Sequence, residues 1–202
     1  MNMHDNLNSY QAILAGVGGQ GIIYLNRVVA RAAMDLGYKV YCLEEHGMAR
    51  RGGSVATYMR FGQDIYTPVI PIASGDLLIG FEMIETVRQL PMLKGDATVI
   101  LNPQLIPPFI TKGDYPDKDK LLTFLKSKIK KDRLVLVDAA GIAAELGSQI
   151  TMNMVLLGAA SGTGALDINK AKLRAAIKGT SLAQYIKINL EAFERGFDCI
   201  RL

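Results

Sequence analysis

Gly16, Gly18 and Gly21 stand in a G-x-G-x-x-G spacing between an apolar run that ends at Ala15 and a helix-compatible stretch that begins at Ile22. A strand that turns straight into a helix needs this pattern: the glycines permit the tight turn, a close backbone approach to a phosphate and close helix–strand packing. The helix N-terminus then offers free N–H groups and partial positive charge to an anion. Glu44 follows 23 positions after Gly21, at the end of the next extended run, where a ribose-binding acid stands in dinucleotide sites. Taken alone, the turn suggests a nucleotide site. The same glycines can also serve packing only, or a partner protein, and the residues by themselves leave these readings open.

Hydrophobic periodicity predicts strands over 12–15, 38–43, 76–80, 97–101 and 134–137, with helices over 22–36, 82–90, 121–131 and 142–146. Strands alternating with helices define an α/β fold, here Rossmann-like, three-layered and built on a mostly parallel sheet. The strand–helix–strand unit over 12–43 is expected to lay its two strands parallel. Segment 54–61 alternates and is rich in β-formers, 62–64 reads as a turn and 65–70 is extended again. These segments predict an inserted β-hairpin of 54–61 with 65–70. From residue 153 the pattern is helical, over 153–160, 169–178 and 182–196, which gives a helical C-terminus. All 202 residues are read as one domain, with about ten N-terminal residues left free to be disordered.

Composition removes whole classes of function. Cys42 and Cys199 are the only cysteines, and His4 and His46 the only histidines. Neither pair can hold an iron–sulfur cluster or a Cys- or His-rich metal centre alone. Apolar runs stay below the ~18 residues of a membrane span, and residues 1–11 lack the apolar centre of a signal peptide. A cytoplasmic chain with no membrane partner is expected. The charge of 23 − 19 = +4 is densest over 126–133. There it reads as a solvated helix C-terminus rather than a nucleic-acid surface, because no aromatics interleave the cations.

No G-x-x-x-x-G-K-[ST] and no G-x-S-x-G occurs, which disfavours a P-loop triphosphatase and a hydrolase elbow. The loop His46-Gly47-Met48-Ala49-Arg50-Arg51-Gly52-Gly53 is too rich in Gly and Arg for a core. Arg50 and Arg51 beside two glycines could clamp an anion or a partner carboxylate, or be solvated. His46 next to Glu45 could act in proton transfer or simply make structural hydrogen bonds.

The segment 16–22 together with the His46-Gly47-Met48-Ala49-Arg50-Arg51-Gly52-Gly53-Ser54-Val55 loop resembles the γ-type component of 2-oxoacid:ferredoxin oxidoreductases. Pro68-Val69-Ile70-Pro71, Ala73-Ser74-Gly75-Asp76 leading to Phe81-Glu82, and the run from Asn153 to Ala159 fit the same pattern. Within that group the loop and the Pro-x-Ile-Pro segment resemble the indolepyruvate branch. The resemblance implies oxidative decarboxylation of a 2-oxoacid to acyl-CoA, using thiamine diphosphate and iron–sulfur clusters, with electrons passing to ferredoxin. It further implies that this chain is a non-autonomous subunit that helps form the coenzyme A site. A larger subunit would carry the thiamine diphosphate and clusters, nothing would bind tightly to this chain alone, and ferredoxin would be met through the complex. A homodimer is allowed for the isolated chain. Arg50 occupies the variable position of the loop motif. The candidate coenzyme-binding set is Gly16, Gly18, Gly19, Gln20, Gly21, Glu44, His46, Arg50, Arg51, Gly52, Gly53 and Ser54; no catalytic residue and no metal ligand is assigned. The neighbouring expectations are a γ subunit of a pyruvate or other 2-oxoacid enzyme, a stand-alone NAD-dependent dehydrogenase, and a nucleotide-binding module.

Overall fold

β1 (Tyr10–Val17) is buried along its whole length, and its alternate side chains supply two separate cores. Ala12 and Leu14 join a larger cluster with Leu25, Met59, Phe61 and Phe193, whereas Ile13 and Ala15 join a smaller one with Tyr58, Leu78 and Met83. A strand covered on both faces reads as a continuous apolar run, which is why the sequence marks it so clearly. The computed structural model describes residues 7–47, 52–107 and 115–200.

The remaining strands are β2 (Lys39–His46), β3 (Ser54–Gly62), β4 (Gly75–Gly80), β5 (Leu93–Leu101) and β6 (Leu134–Leu136). The helices are α1 (Ile22–Met34), α2 (Met83–Gln89), α3 (Lys118–Lys128), α4 (Ala139–Glu145), α5 (Met152–Gly162), α6 (Lys170–Thr180) and α7 (Ile186–Asp198). The strands pair in the order β2-β3-β1-β4-β5-β6. β1, β4, β5 and β6 are parallel neighbours, and β3 runs against both β1 and β2. Apolar residues of α1, α4, α5, α6 and α7 fill the larger core, and those of α2 and α3 fill the smaller one. The fold is therefore the expected three-layer α/β arrangement with a mostly parallel sheet and a helical C-terminus.

The inserted hairpin is present, but its arms differ from those expected. β3 pairs with β2 from Lys39↔Gly62 to His46↔Val55, and residues 65–70 form no strand. Pro68 and Pro71 bracket that segment, and a residue without an N–H cannot extend a ladder. The segment instead lies against β3, where Arg60 Nη1 donates to the carbonyls of Thr67 and Val69 at 3.2 Å. A second consequence concerns β2. It runs in the same sense as β1, as expected, but β3 separates them.

Helix α5 is buried from Met152 to Ala160, because it is enclosed by the sheet on one side and α7 on the other. Two glycines permit the close helix crossing. An added Cβ on Gly158 would overlap the Phe193 carbonyl oxygen, and one on Gly196 would overlap the Val155 carbonyl oxygen.

After β1 the chain enters α1 on the larger-core face, and after β4 it enters α2 on the opposite face. The adjacent carboxyl ends of β1 and β4 diverge there, which is the position where open α/β sheets bind ligands.

Candidate functional site

Three glycines at the end of β1 and in the turn after it are required by the local geometry. Gly19 and Gly21 adopt φ of 104° and 77°, in the left-handed region that side chains avoid. A Cβ on Gly16 would overlap Gln20 Oε1 and lie 2.7 Å from Phe81 Cβ. Gln20 folds back over the turn: its Oε1 accepts from Val17 N at 2.8 Å and its Nε2 donates to Phe81 O at 3.3 Å. This side chain thus joins the ends of β1 and β4. Asn102 extends the seam by donating to Phe81 O at 3.1 Å and accepting from Ala140 N at 3.2 Å.

The second sequence motif closes on the first. Gly18 N donates to Gly53 O at 2.8 Å, and Gly52 N donates to Gly18 O at 3.4 Å. The Gly18 amide is therefore turned toward the loop before β3 and not toward an open phosphate position. The donors that remain belong to α1. Gly21 is its N-cap in the left-handed conformation, no side chain among the described residues caps the end, and no acid lies in the first turn. The positive end of the helix is left uncompensated.

A cavity of about 530 Å³ opens at this point, lined by the glycine turn, Ile22, Ile23, His46, Gly47, Val55 and Ile150. Among the described residues, His46 is the one titratable side chain on its wall, and its Nε2 stands 3.4 Å from Glu44 Oε2. Glu44 itself is outside the lining. It sits on β2 with β3 between it and β1, about two strand spacings or roughly 10 Å from the turn strand. The adjacent-strand geometry of a ribose-binding acid is not formed. Arg50 and Arg51 lie outside the described residues.

Ser54 points away from the cavity toward α2, where its hydroxyl donates to Glu85 Oε2 at 2.6 Å. Glu85 also receives Arg88 Nη1 at 2.9 Å. Ser54→Ala is expected to lower the unfolding free energy by about 2 kcal/mol in urea denaturation, the cost of a lost bond to a charged acceptor. A stability equal to that of the parent would mean that this bond contributes nothing.

The roles of several residues of the site escape sequence reasoning, although two of them, Glu82 and Asn153, stand in segments that carry the family resemblance. Asn153 is buried, donates from Nδ2 to Gly21 O at 3.1 Å, and has an Oδ1 without a partner among the described residues. A Cβ on Gly21 would overlap its amide. The weak signal was a polar residue opening an otherwise apolar helix. Glu82 is 1% exposed and is the N-cap of α2; it accepts from Glu85 N at 2.9 Å and Ile106 N at 3.2 Å. Burial raises its carboxyl above the usual carboxylate range, against those two backbone donors.

This architecture and its seam now have an identity. The chain belongs to the pyruvate ferredoxin/flavodoxin oxidoreductase family, whose sequence profile matches residues 11–199. It is 36% identical over 192 residues to the indolepyruvate oxidoreductase subunit IorB of Methanothermobacter thermautotrophicus, covering 94% of this chain and 96% of that one. It is thus a subunit of a 2-oxoacid:ferredoxin oxidoreductase. The fold matches the γ subunit of a keto/oxoacid ferredoxin oxidoreductase from Geobacter sulfurreducens with a TM-score of 0.69 at 19% identity, covering 95% and 98% of the two chains. It also matches, with a TM-score of 0.70 at 20% identity, 97% of this chain against 32% of a longer one. That longer chain is a 2-oxoglutarate:ferredoxin oxidoreductase from Magnetococcus marinus, solved with 2-oxoglutarate, coenzyme A and succinyl-CoA bound.

Proposed function

We propose that this chain is the small subunit of an arylpyruvate-type, indolepyruvate-using 2-oxoacid:ferredoxin oxidoreductase, and that its glycine-turn cavity receives the pyrophosphate of coenzyme A. The observation that carries the reading is the uncapped N-terminus of α1 at the cavity wall, with no first-turn acid to neutralise it. A pyrophosphate fits that end, because backbone N–H groups and the helix dipole both favour an anion there. Similarity over nearly full length to an indolepyruvate oxidoreductase subunit supports the substrate class. Coenzyme A in the Magnetococcus marinus structure supports the ligand.

In this reading the chain's contribution is position. The α1 N–H groups hold the phosphates, Gly52 and Gly53 brace the turn through Gly18, and His46 bounds the cavity at the carboxyl end of β2. Arg50 and Arg51 are assigned to the coenzyme's phosphates. Anchoring the nucleotide end fixes where the thiol can reach, and converts its encounter with the reacting carbon into an effectively unimolecular step. The larger subunit is assigned the thiamine diphosphate and iron–sulfur clusters. Among the described residues of this chain, no group of three or more His, Cys, Asp or Glu side chains could hold a metal ion. The subunit is read as a single domain, working in the cytoplasm and meeting ferredoxin through the complex; no described helix is long and apolar enough to cross a membrane.

The test is reconstitution. Acyl-CoA formation from indolepyruvate, with ferredoxin reduced, is expected only when this chain and the larger subunit are combined. Full turnover by the isolated chain with a nicotinamide cofactor would overturn the reading. A panel of 2-oxoacids on the same complex, with pyruvate preferred over arylpyruvates, would overturn the substrate class alone.

A further inference from the structure

β2 ends the sheet, and seven of its eight residues are exposed, Tyr41 and Leu43 among them. A long edge strand with an apolar middle, here Val40-Tyr41-Cys42-Leu43, is a template for another strand. Its charges stand at the ends, with Lys39 at one and Glu44 and Glu45 at the other.

The ladder on the inner side fixes which backbone groups face outward. Gly47 N donates to Ser54 O at 2.7 Å, continuing the register His46↔Val55. In an antiparallel pair the N–H and C=O of one residue point to the same side, and alternate residues point to opposite sides. The odd-numbered residues of β2 therefore bond to β3, and Val40, Cys42, Glu44 and His46 present their backbone groups to the free edge.

We infer that β2 pairs antiparallel with β2 of a second copy of this chain, about a two-fold axis through Cys42. Outward-facing residues must meet outward-facing residues, so the paired residue numbers sum to an even value. With Cys42 opposite Cys42, Lys39 faces Glu45, Tyr41 faces Leu43 and Val40 faces Glu44. Sliding by one allowed step in either direction puts Lys39 against Leu43, or Tyr41 against Glu45. Only the central register joins opposite charges and apolar neighbours together. Moreover, Lys39–Glu45 and Tyr41–Leu43 fall at the non-hydrogen-bonded positions, where cross-strand side chains are closest. The strand is self-complementary in charge and apolar pattern, which selects a second copy over an unrelated strand. The pairing goes beyond the coenzyme reading and does not rest on it.

The test combines sedimentation equilibrium with cysteine cross-linking, on the full chain and on the assembled complex. The full chain is expected to be a dimer. Lys39→Glu and Glu45→Lys each place like charges opposite one another twice per interface, and each is expected to weaken the dimer by about tenfold or more. The double variant Lys39→Glu/Glu45→Lys should restore it. A short bis-maleimide should link two copies in the parent and in Cys199→Ser, but not in Cys42→Ser. A folded, monomeric full chain with no Cys42 cross-link in the complex would overturn the inference. So would a dimer indifferent to both single variants, one that the double variant fails to rescue, or a Cys42 cross-link to the larger subunit.

Discussion

Gly158→Val is expected to destabilise the fold strongly. The position sits where α5 crosses α7, and an added Cβ meets the carbonyl oxygen of Phe193 and, at 2.8 Å, the amide nitrogen of Phe197. Both obstacles are backbone, so no rotamer change relieves them. α5 cannot retreat either, because Val155, Leu156, Leu157, Ala159 and Ala160 are already buried in the larger core. Separating the helices would open voids beside Ala192 and Phe193, both fully buried. Overpacking of this kind costs at least about 3–4 kcal/mol, a large part of the roughly 5–15 kcal/mol that holds a domain folded. The check is soluble yield and urea denaturation, with Gly179→Ala as comparator. Gly179 lies in α6 and an added Cβ there meets nothing within 4 Å, so that change should stabilise by up to about 1 kcal/mol. A Gly158→Val chain as stable as the parent would contradict the close crossing. The effect extends to the site, since Asn153 on α5 holds the carbonyl of Gly21.

The largest expected effect on ligand binding is that of Ile23→Glu. Ile23 is the second residue of α1 and lines the cavity. A carboxylate in the first turn suits the helix dipole, by about 0.3–1 kcal/mol, so the fold should persist or gain slightly. The same carboxylate takes up the exposed N–H groups and opposes an incoming phosphate, and like charges brought together at a binding surface cost several kcal/mol. Coenzyme A affinity in the assembled complex should fall by about 100-fold or more, roughly 2.7 kcal/mol. Ile23→Gln, which has the same reach without the charge, should lose far less. Calorimetry showing equal affinity for all three proteins would leave the glycine turn with a packing role only.

The parts of the molecule legible from sequence were those governed by local rules. The apolar run of β1, the glycine turn and the amphipathic stripe of α1 announce themselves within about 25 residues. The γ-type motifs on either side of β2 were equally plain, and the family match bears them out. What was not legible depends on pairing across the chain. Segments 39–46 and 65–70 both look extended, and only the sheet decides that β3 takes the first as its partner; Pro68 and Pro71 were the available warning. The same insertion removes Glu44 from the turn, although counting residues put it where a ribose-binding acid stands. The roles of Asn102 and Asn153 were not readable, because their partners Phe81, Ala140 and Gly21 are distant in sequence. Asn153 reaches Gly21 over 132 positions.

The central claim is that this subunit supplies the phosphate-binding part of a coenzyme A site completed by a larger partner. Its most direct test is the affinity for coenzyme A of the isolated chain, the isolated larger subunit and the complex, measured under anaerobic conditions. The complex is predicted to bind at least about tenfold more tightly than either part, a coupling of about 1.4 kcal/mol, and to lose that gain with Ile23→Glu. A larger subunit that binds coenzyme A alone as tightly as the complex does would contradict the account.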